Sequence, residues 1–139
     1  MTPARPAISS LRPMLAVLDL PRSVRFYVES LGFNLCGTFG NPPVWAEVER
    51  DGVAVMLNAP PRDCIERDVG PRARDYQIFY FNTTSVDRLH EEFRARGVAV
   101  SDLRVAVYHM KEFEVKDPDG YWLWFASHSD EPPTRREEE

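Results

Sequence analysis

The sequence is poor in the residues that most often mark a catalytic or metal site. Its 139 residues include only two cysteines and three histidines. Cys36 and Cys64 lie far apart and form no CxxC pair, so neither indicates a zinc or redox motif. No run approaches the roughly 18 apolar residues of a membrane span, and the first ten residues carry no secretion-signal pattern. We therefore expect a cytoplasmic protein with reduced thiols and no membrane partner.

An excess of positive charge is also missing. Lys and Arg total 17 against 22 Asp and Glu, which gives a net charge of −5. Proteins that bind nucleic acid usually present a basic face, so this balance argues against a nucleic-acid partner. The hydrophobic fraction of 43% and the charged fraction of 28% are typical of a globular domain, and the length suits a single one.

The second half of the sequence repeats the order of features in the first half. Each half reads as a strand, a helix and three further strands. In chain order we predict a flexible N-terminus at 1–10, module one at 11–58, a connector at 59–75, module two at 76–128 and a disordered tail at 129–139. The predicted fold class is α+β, with two βαβββ modules forming a curved, cleft-containing mixed sheet and helices on its outer face.

Apolar spacing and turn residues define the elements inside each module. Apolar residues at helical spacing predict one helix before Gly32 and a second before Gly97, because glycine suits the left-handed position that ends a helix. The predicted strands are 11–18, 33–39, 44–49 and 53–58 in module one, and 76–81, 98–105, 110–116 and 121–127 in module two. Asp51-Gly52 and the Asp-Pro-Asp-Gly run at 117–120 predict the hairpin turns.

Motifs at matching places in the two halves point to a known family. Residues 19–33 read Asp-Leu-Pro-x-Ser-x-x-Phe-Tyr-x-x-x-Leu-Gly-Phe, with Tyr-His-Met-Lys-Glu-Phe at 108–113 and Asp-Pro-Asp-Gly-Tyr at 117–121. Over residues 11–127 the chain resembles the glyoxalase/bleomycin-resistance/dioxygenase superfamily, also called vicinal oxygen chelate proteins. The resemblance implies the paired-module fold. It leaves the activity open, because this fold hosts isomerases, dioxygenases, transferases and drug binders.

The resemblance also implies where metal ligands would stand. Metal-dependent members take His, Gln or Glu from up to four strands, and the matching positions here hold Arg12, Met56, Gln77 and Trp124. Arginine and tryptophan offer no lone pair, and a thioether binds hard divalent metals poorly. We predict no metal and no cofactor, which places the chain with the metal-free, bleomycin-resistance-like branch. The best-known type of that branch is a homodimer that sequesters a drug without chemistry, and we accordingly predict a homodimer.

Strand alternation combined with the family pattern predicts the ligand cavity. The residues assigned to its wall are Arg12, Met14, Met56, Asn58, Gln77, Phe79, Phe81, Trp122 and Trp124, with Trp45, Tyr108 and His109 at its edge. Such an aromatic and sulfur-rich wall favours a flat or heteroaromatic ligand. The alternative interpretation is that these side chains fill the interior or seal a dimer interface.

Three functions fit the sequence. The first is a small-molecule binder that confers antibiotic resistance by sequestration. The second is a metal-free lyase, isomerase or oxygenase-type enzyme, with Tyr108, His109 and Glu112 as acid–base candidates; Glu112 is alternatively a structural partner of Arg12. The third is a metal enzyme with misaligned ligands, which would need His90 and His109 together. No activated nucleophile or placed carboxylate pair is evident, so we predict the binder.

Overall fold

The chain folds into two modules with the same order of elements. The computed structural model describes residues 7–60 and 77–134. Module one contains β1 (Met14–Ala16), α1 (Leu20–Arg25) continued by a π-helical turn (Phe26–Ser30), β2 (Asn34–Gly40), β3 (Pro43–Arg50) and β4 (Val53–Asn58). Module two contains β5 (Ile78–Asn82), α2 (Val86–Ala95), β6 (Arg104–Val105), β7 (Met110–Lys116) and β8 (Trp122–His128). The predicted α+β class and the predicted repeat are confirmed.

Local sequence signals account for the ends of the helices and for the tightest hairpin. The side chain of Asp19 accepts a hydrogen bond from the backbone N–H of Arg22 and so caps α1. Gly32 follows that helix with a φ of 77°, a left-handed conformation that glycine adopts without strain. Asp51 and Gly52 have φ values of 53° and 84°, which suit the tight turn between β3 and β4. Among the described residues no helix is long and apolar enough to cross a membrane.

The two sheets have identical topology. Their strand orders are β1-β4-β3-β2 and β5-β8-β7-β6. The first and last strands of each module run parallel, and the other neighbours run antiparallel. A parallel pair needs a crossover connection, and in both modules the helix lies within that crossover. Each sheet packs its helix against one face, and no described helix covers the other face.

One continuous core joins the modules on the helix-bearing side of both sheets. Tyr27 and Leu31 from the first helical segment and Phe93 from α2 are fully or almost fully buried, together with Leu57 and Phe113 from the sheets. The rings of Phe93 and Phe113 meet edge to face with centroids 5.9 Å apart. Because residues of both modules belong to this core, the modules pack against each other within one chain.

Buried carboxylates in the β7–β8 turn tie module two to α1. The Asp119 carboxylate accepts a hydrogen bond of 2.7 Å from the Ser23 hydroxyl and one of 2.9 Å from the Leu18 N–H. The Asp117 carboxylate accepts one of 2.9 Å from the Tyr27 hydroxyl. Burial raises the pKa of Tyr27 and also raises the pKa of Asp117. The turn that the Asp-Pro-Asp-Gly motif predicts is therefore also an inter-module contact.

A second tie lies beside the β3–β4 turn. The Arg50 guanidinium donates two hydrogen bonds to the Glu92 carboxylate of α2, at 2.7 and 2.9 Å, and a third to the Leu31 carbonyl. The hydrogen bonds to Arg50 lower the pKa of Glu92. Paired, bidentate contacts of this kind fix geometry as well as adding energy.

Two predicted strands are shorter than expected. The strand predicted at 11–18 is reduced to Met14–Ala16. Of the strand predicted at 98–105 only Arg104–Val105 remains, with an isolated bridge between Val100 and Val115. The physical reason is Ser101, whose hydroxyl accepts the hydrogen bond of the Glu114 N–H that a strand carbonyl would otherwise take.

Most of the predicted connector, 59–75, lies outside the described residues. The structure describes the predicted disordered tail as far as Thr134 and places it against β6. The Thr134 N–H donates to the Val105 carbonyl, and the Thr134 hydroxyl accepts from the Val105 N–H, both at 2.9 Å. The described part of the tail thereby pairs with the backbone of an edge strand.

Candidate functional site

Each sheet carries helix on only one face, and the opposite face of the module-two sheet is rich in aromatic side chains. Strand register places Ile78 beside Trp122 and Tyr80 beside Trp124, and Glu114 on the other side of Trp124. Directly paired residues point to the same side of a sheet. We call this surface the aromatic face; its members are Ile78, Tyr80, Arg104, Glu112, Glu114, Lys116, Trp122 and Trp124.

The predicted cavity wall placed Phe79 and Phe81 on the same face as Trp122 and Trp124, and the structure places them instead on the opposite, helix-bearing face. The Phe81 ring stacks on Phe125 at 4.8 Å, and both Phe79 and Phe81 pack against the core on the helix side. A shift of one residue moves every side chain of a strand to the other face. The residue that the prediction missed is Tyr80, which is 41% exposed on the aromatic face.

A buried carboxylate organises one end of the aromatic face. Glu112 is only 1% exposed. Its Oε2 accepts a hydrogen bond of 2.9 Å from the Tyr80 hydroxyl, and its Oε1 accepts one of 2.7 Å from the Tyr108 hydroxyl and one of 3.3 Å from Arg104 Nε. The neighbour of Glu112 on β8 is Ala126, whose small side chain leaves room for Tyr80 to reach across the sheet.

The expected pairing of Glu112 with Arg12 is wrong. Arg12 instead forms an ion pair of 2.8 Å with Glu47 on the sheet of module one. Arg104 is the cation beside Glu112, and it also contacts Glu114 through Nη2 at 2.5 Å. The register of β6 with β7 places Arg104 directly opposite Glu112.

The two tyrosines at Glu112 are held as neutral phenols. Burial is the largest cause that raises the pKa of Tyr80, followed by its hydrogen bond to Glu112. The hydrogen bond to Glu112 is the largest cause that raises the pKa of Tyr108. A phenol with a raised pKa donates hydrogen bonds and does not serve as a general base near neutral pH. The cluster therefore suits binding and orientation better than proton abstraction.

Cations lie over both indole rings of the aromatic face. The guanidinium carbon of Arg104 is 4.8 Å from the ring centroid of Trp124, and Lys116 Nζ is 5.1 Å from that of Trp122. The Tyr80 ring lies 6.4 Å from Trp124 at a tilt of 49°. Trp124 Nε1 is buried and has no hydrogen-bond acceptor among residues 7–60 and 77–134, a state that costs about 1–3 kcal/mol for a polar group.

The uncovered face of the module-one sheet carries most of the other predicted residues. Register places Met14 beside Met56 and Trp45 beside Asn58. Phe39, the neighbour of Trp45 on β2, is 72% exposed. The structure thus places the side chains predicted from module one on one surface, together with Phe39. We call this surface the module-one face.

The remaining predicted residues lie at the edges of module two. His109 sits in the turn before β7 with a φ of 65°, and its ring centroid is 6.2 Å from that of His128. Tyr108, beside it, is part of the Glu112 cluster. Gln77 lies immediately before β5 and is exposed. His90 packs edge to face on Phe113 and bonds to the Ser101 carbonyl, so it is not brought to His109.

A separate cavity of about 720 Å³ lies between α2 and the β3–β4 turn. Its lining includes Arg50, Ser85, Arg88 and Glu92, and Phe81 forms part of its wall. No member of the aromatic face contributes to it. The sequence carries no local signal for this cavity, because the cavity forms where the two modules meet.

Comparison with known proteins agrees with the geometry. Residues 10–125 match the family model described as the glyoxalase/bleomycin resistance protein/dioxygenase superfamily. The chain belongs to this superfamily. No curated protein matches the chain.

Three solved structures of other proteins resemble the chain over almost the whole length of both chains compared. A bleomycin-binding protein from bleomycin-producing Streptomyces verticillus, complexed with copper(II)-bleomycin, is 25% identical with a TM-score of 0.66 and coverage of 91% of this chain and 100% of that one. TnmS3, an antibiotic-binding protein from Streptomyces sp. CB03234, is 23% identical with a TM-score of 0.70 and coverage of 90% and 100%. A glyoxalase/bleomycin resistance protein/dioxygenase from Nocardioides is 22% identical with a TM-score of 0.66 and coverage of 97% and 91%.

The residues at the superfamily's metal positions do not fit a metal. The Arg12 guanidinium is paired with Glu47, and Trp124 presents an N–H donor and no lone pair. Met56 supplies a thioether, and Gln77 alone supplies an oxygen. Among residues 7–60 and 77–134, no group of three or more His, Cys, Asp or Glu side chains is arranged to hold a metal ion.

Proposed function

We propose that this superfamily member binds a planar aromatic small molecule on the aromatic face and sequesters it without chemical change. The observation that carries the proposal is the row of Tyr80, Trp124 and Trp122 on a sheet face that no described helix covers. Stacking on aromatic side chains adds about 0.5–1.5 kcal/mol per pair beyond the burial of area.

The polar groups around this row support binding over catalysis. Glu112 already accepts three hydrogen bonds, from Tyr80, Tyr108 and Arg104, so its lone pairs are engaged in holding the side chains that frame the face. Fixed surroundings of this kind lower the entropy that a side chain loses when a ligand binds. We assign Trp122 and Trp124 as the stacking surface, with Tyr80 and Tyr108 as its rim.

The relatives support the same class of function. Two of the proteins above bind bleomycin and an antibiotic, respectively. We extend small-molecule binding to this chain on the strength of the shared fold and the row of Tyr80, Trp122 and Trp124 on the uncovered face. Antibiotic resistance by sequestration is the physiological role that we propose with it.

A second copy of the chain completes the proposed site. Exposed apolar side chains occur on both uncovered faces, including Met14 and Phe39 in module one and Ile78 and Tyr108 in module two. Exposed apolar patches of this kind usually mark a binding or subunit interface. We propose a homodimer in which the module-one face contributes Trp45 and Met56 to the ligand cleft. The exposed free thiol of Cys36 fits action in the reducing cytoplasm.

Isothermal titration calorimetry with a small panel tests this function. The panel contains metal-free bleomycin, copper-loaded bleomycin, anthraquinone-2-sulfonate and proflavine, which differ in size and charge. We expect saturable binding of at least one compound at micromolar concentration and its recovery unaltered by mass spectrometry. No binding by any member, or chemical conversion of a bound one, would contradict the proposal.

A further inference from the structure

We infer that the aromatic face selects planar anions rich in hydrogen-bond acceptors over planar cations of the same size. This inference rests on the proposed function and specifies the ligand class for the same surface. It follows from a mismatch between donors and acceptors on that surface.

The positive groups of the face lie where a flat ligand would stack. Arg104 covers the Trp124 ring and Lys116 covers the Trp122 ring, at 4.8 and 5.1 Å from the ring centroids. A planar ligand that approaches either indole therefore meets a cation at the ring. A guanidinium is itself planar and stacks readily on a further flat group.

The negative groups of the face are already engaged. Glu112 accepts from two tyrosines and Arg104, and Glu114 pairs with Arg104. On the module-one face, Glu47 pairs with Arg12. A cationic ligand would have to break one of these contacts to gain a counter-charge, and a buried charge left without its partner is costly.

One cation of the face, by contrast, has no carboxylate partner among the described residues. Within the described residues Lys116 takes part in no salt bridge, although Lys111 on the same strand has two, with Asp87 and Glu131. A carboxylate or sulfonate oxygen supplies the counter-charge that Lys116 lacks, and a bond to a charged donor is stronger than a neutral one.

The test compares anthraquinone-2-sulfonate with proflavine, two three-ring planar molecules of opposite charge, by calorimetry on the full-length chain. We expect the sulfonate to bind at least about tenfold more tightly at low ionic strength, with the ratio falling as salt is added. Lys116→Gln should weaken sulfonate binding by about three- to tenfold and leave or improve proflavine binding. The matched control is Lys111→Gln on the same strand, which should change neither affinity.

The outcomes separate this inference from the proposed function. Equal or tighter binding of proflavine would overturn the charge preference and leave aromatic sequestration standing. Equal effects of the Lys116 and Lys111 substitutions would also overturn it, because the preference would then reflect overall charge. Failure of both probes, and of both forms of bleomycin, would overturn the inference together with the function on which it rests.

Discussion

Glu112 is a carboxylate buried on the side of the sheet that carries no helix. It accepts hydrogen bonds from three different elements: from Tyr80 on β5, from Tyr108 in the turn before β7, and from Arg104 on β6. Removing one partner of a buried charged pair costs far more than the pair itself contributes, because the other partner stays buried. Glu112 therefore fixes the positions of the side chains that frame the aromatic face.

Glu112→Gln is expected to lower the free energy of unfolding by about 1–3 kcal/mol, because the charge that satisfies Arg104 is lost while the shape is kept. Glu114→Gln, which removes one contact of a more exposed carboxylate, should cost less than about 1 kcal/mol. Urea denaturation followed by circular dichroism measures both. Equal losses for the two variants would mean that the Glu112 cluster has no special role.

The partner of Glu112 could not be read from the sequence. The local run at 108–113 left two roles for Glu112, a cavity carboxylate or a buried partner of Arg12, and the structure buries it against Tyr80, Tyr108 and Arg104. The cation beside Glu112 is determined by the pairing of β6 with β7, and β6 is only two residues long. No periodic pattern reveals so short a strand, so Arg12 was assigned where Arg104 stands.

At the scale of elements, β5 shows where alternation fails as a guide. Three consecutive aromatic residues, Phe79, Tyr80 and Phe81, make both faces of this strand equally apolar in the sequence. Its orientation is decided by its register with β8, which places Phe79 beside Leu123 and Tyr80 beside Trp124. For β8 itself, alternation between tryptophans and smaller apolar residues was sufficient, and the face was predicted correctly.

The β7–β8 turn gives a prediction about pH. Burial raises the pKa of Asp117, so the folded chain holds this proton more readily than the unfolded chain does. Its contribution to stability is therefore present at low pH and is lost as pH rises through the folded pKa. Asp117→Asn removes the titration. The stability of the native chain relative to this variant should fall between about pH 3 and pH 7.

Urea titrations of both proteins at several pH values across that range measure the difference. The comparison isolates Asp117, since the carboxyl groups elsewhere are common to both proteins. A relative stability of the native chain that rises with pH would show that the hydrogen bonds from Tyr27 and the backbone outweigh burial at this site.

At the scale of the whole molecule, the repeat made the fold predictable. The glycines at 32, 52 and 120 all have positive φ values, as expected for residues that end helices and form turns. The same motifs predict the order of elements along the chain in both modules. The docking of the modules through Arg50 and Glu92, and the cavity beside them, depends on contacts between distant residues and carries no local signal.

The exposed apolar surface predicts a homodimer. Sedimentation at micromolar concentration should give twice the mass of one 16.0 kDa chain. Phe39→Asp, at a side chain that is 72% exposed on the module-one face, should shift the equilibrium towards monomer. A native chain that sediments as a monomer throughout this range would contradict the proposed cleft between two copies.

The central claim is that ligand binds on the sheet face opposite the helices, and one comparison tests it most directly. Calorimetry with anthraquinone-2-sulfonate is carried out on Trp124→Ala, from the aromatic face, and on Phe79→Leu, from the helix side of the adjacent strand. The account predicts that Trp124→Ala weakens binding by about 1–3 kcal/mol with the fold intact by circular dichroism, and that Phe79→Leu leaves the affinity unchanged. Loss of affinity in Phe79→Leu with none in Trp124→Ala would contradict the account and move the site to the helix side.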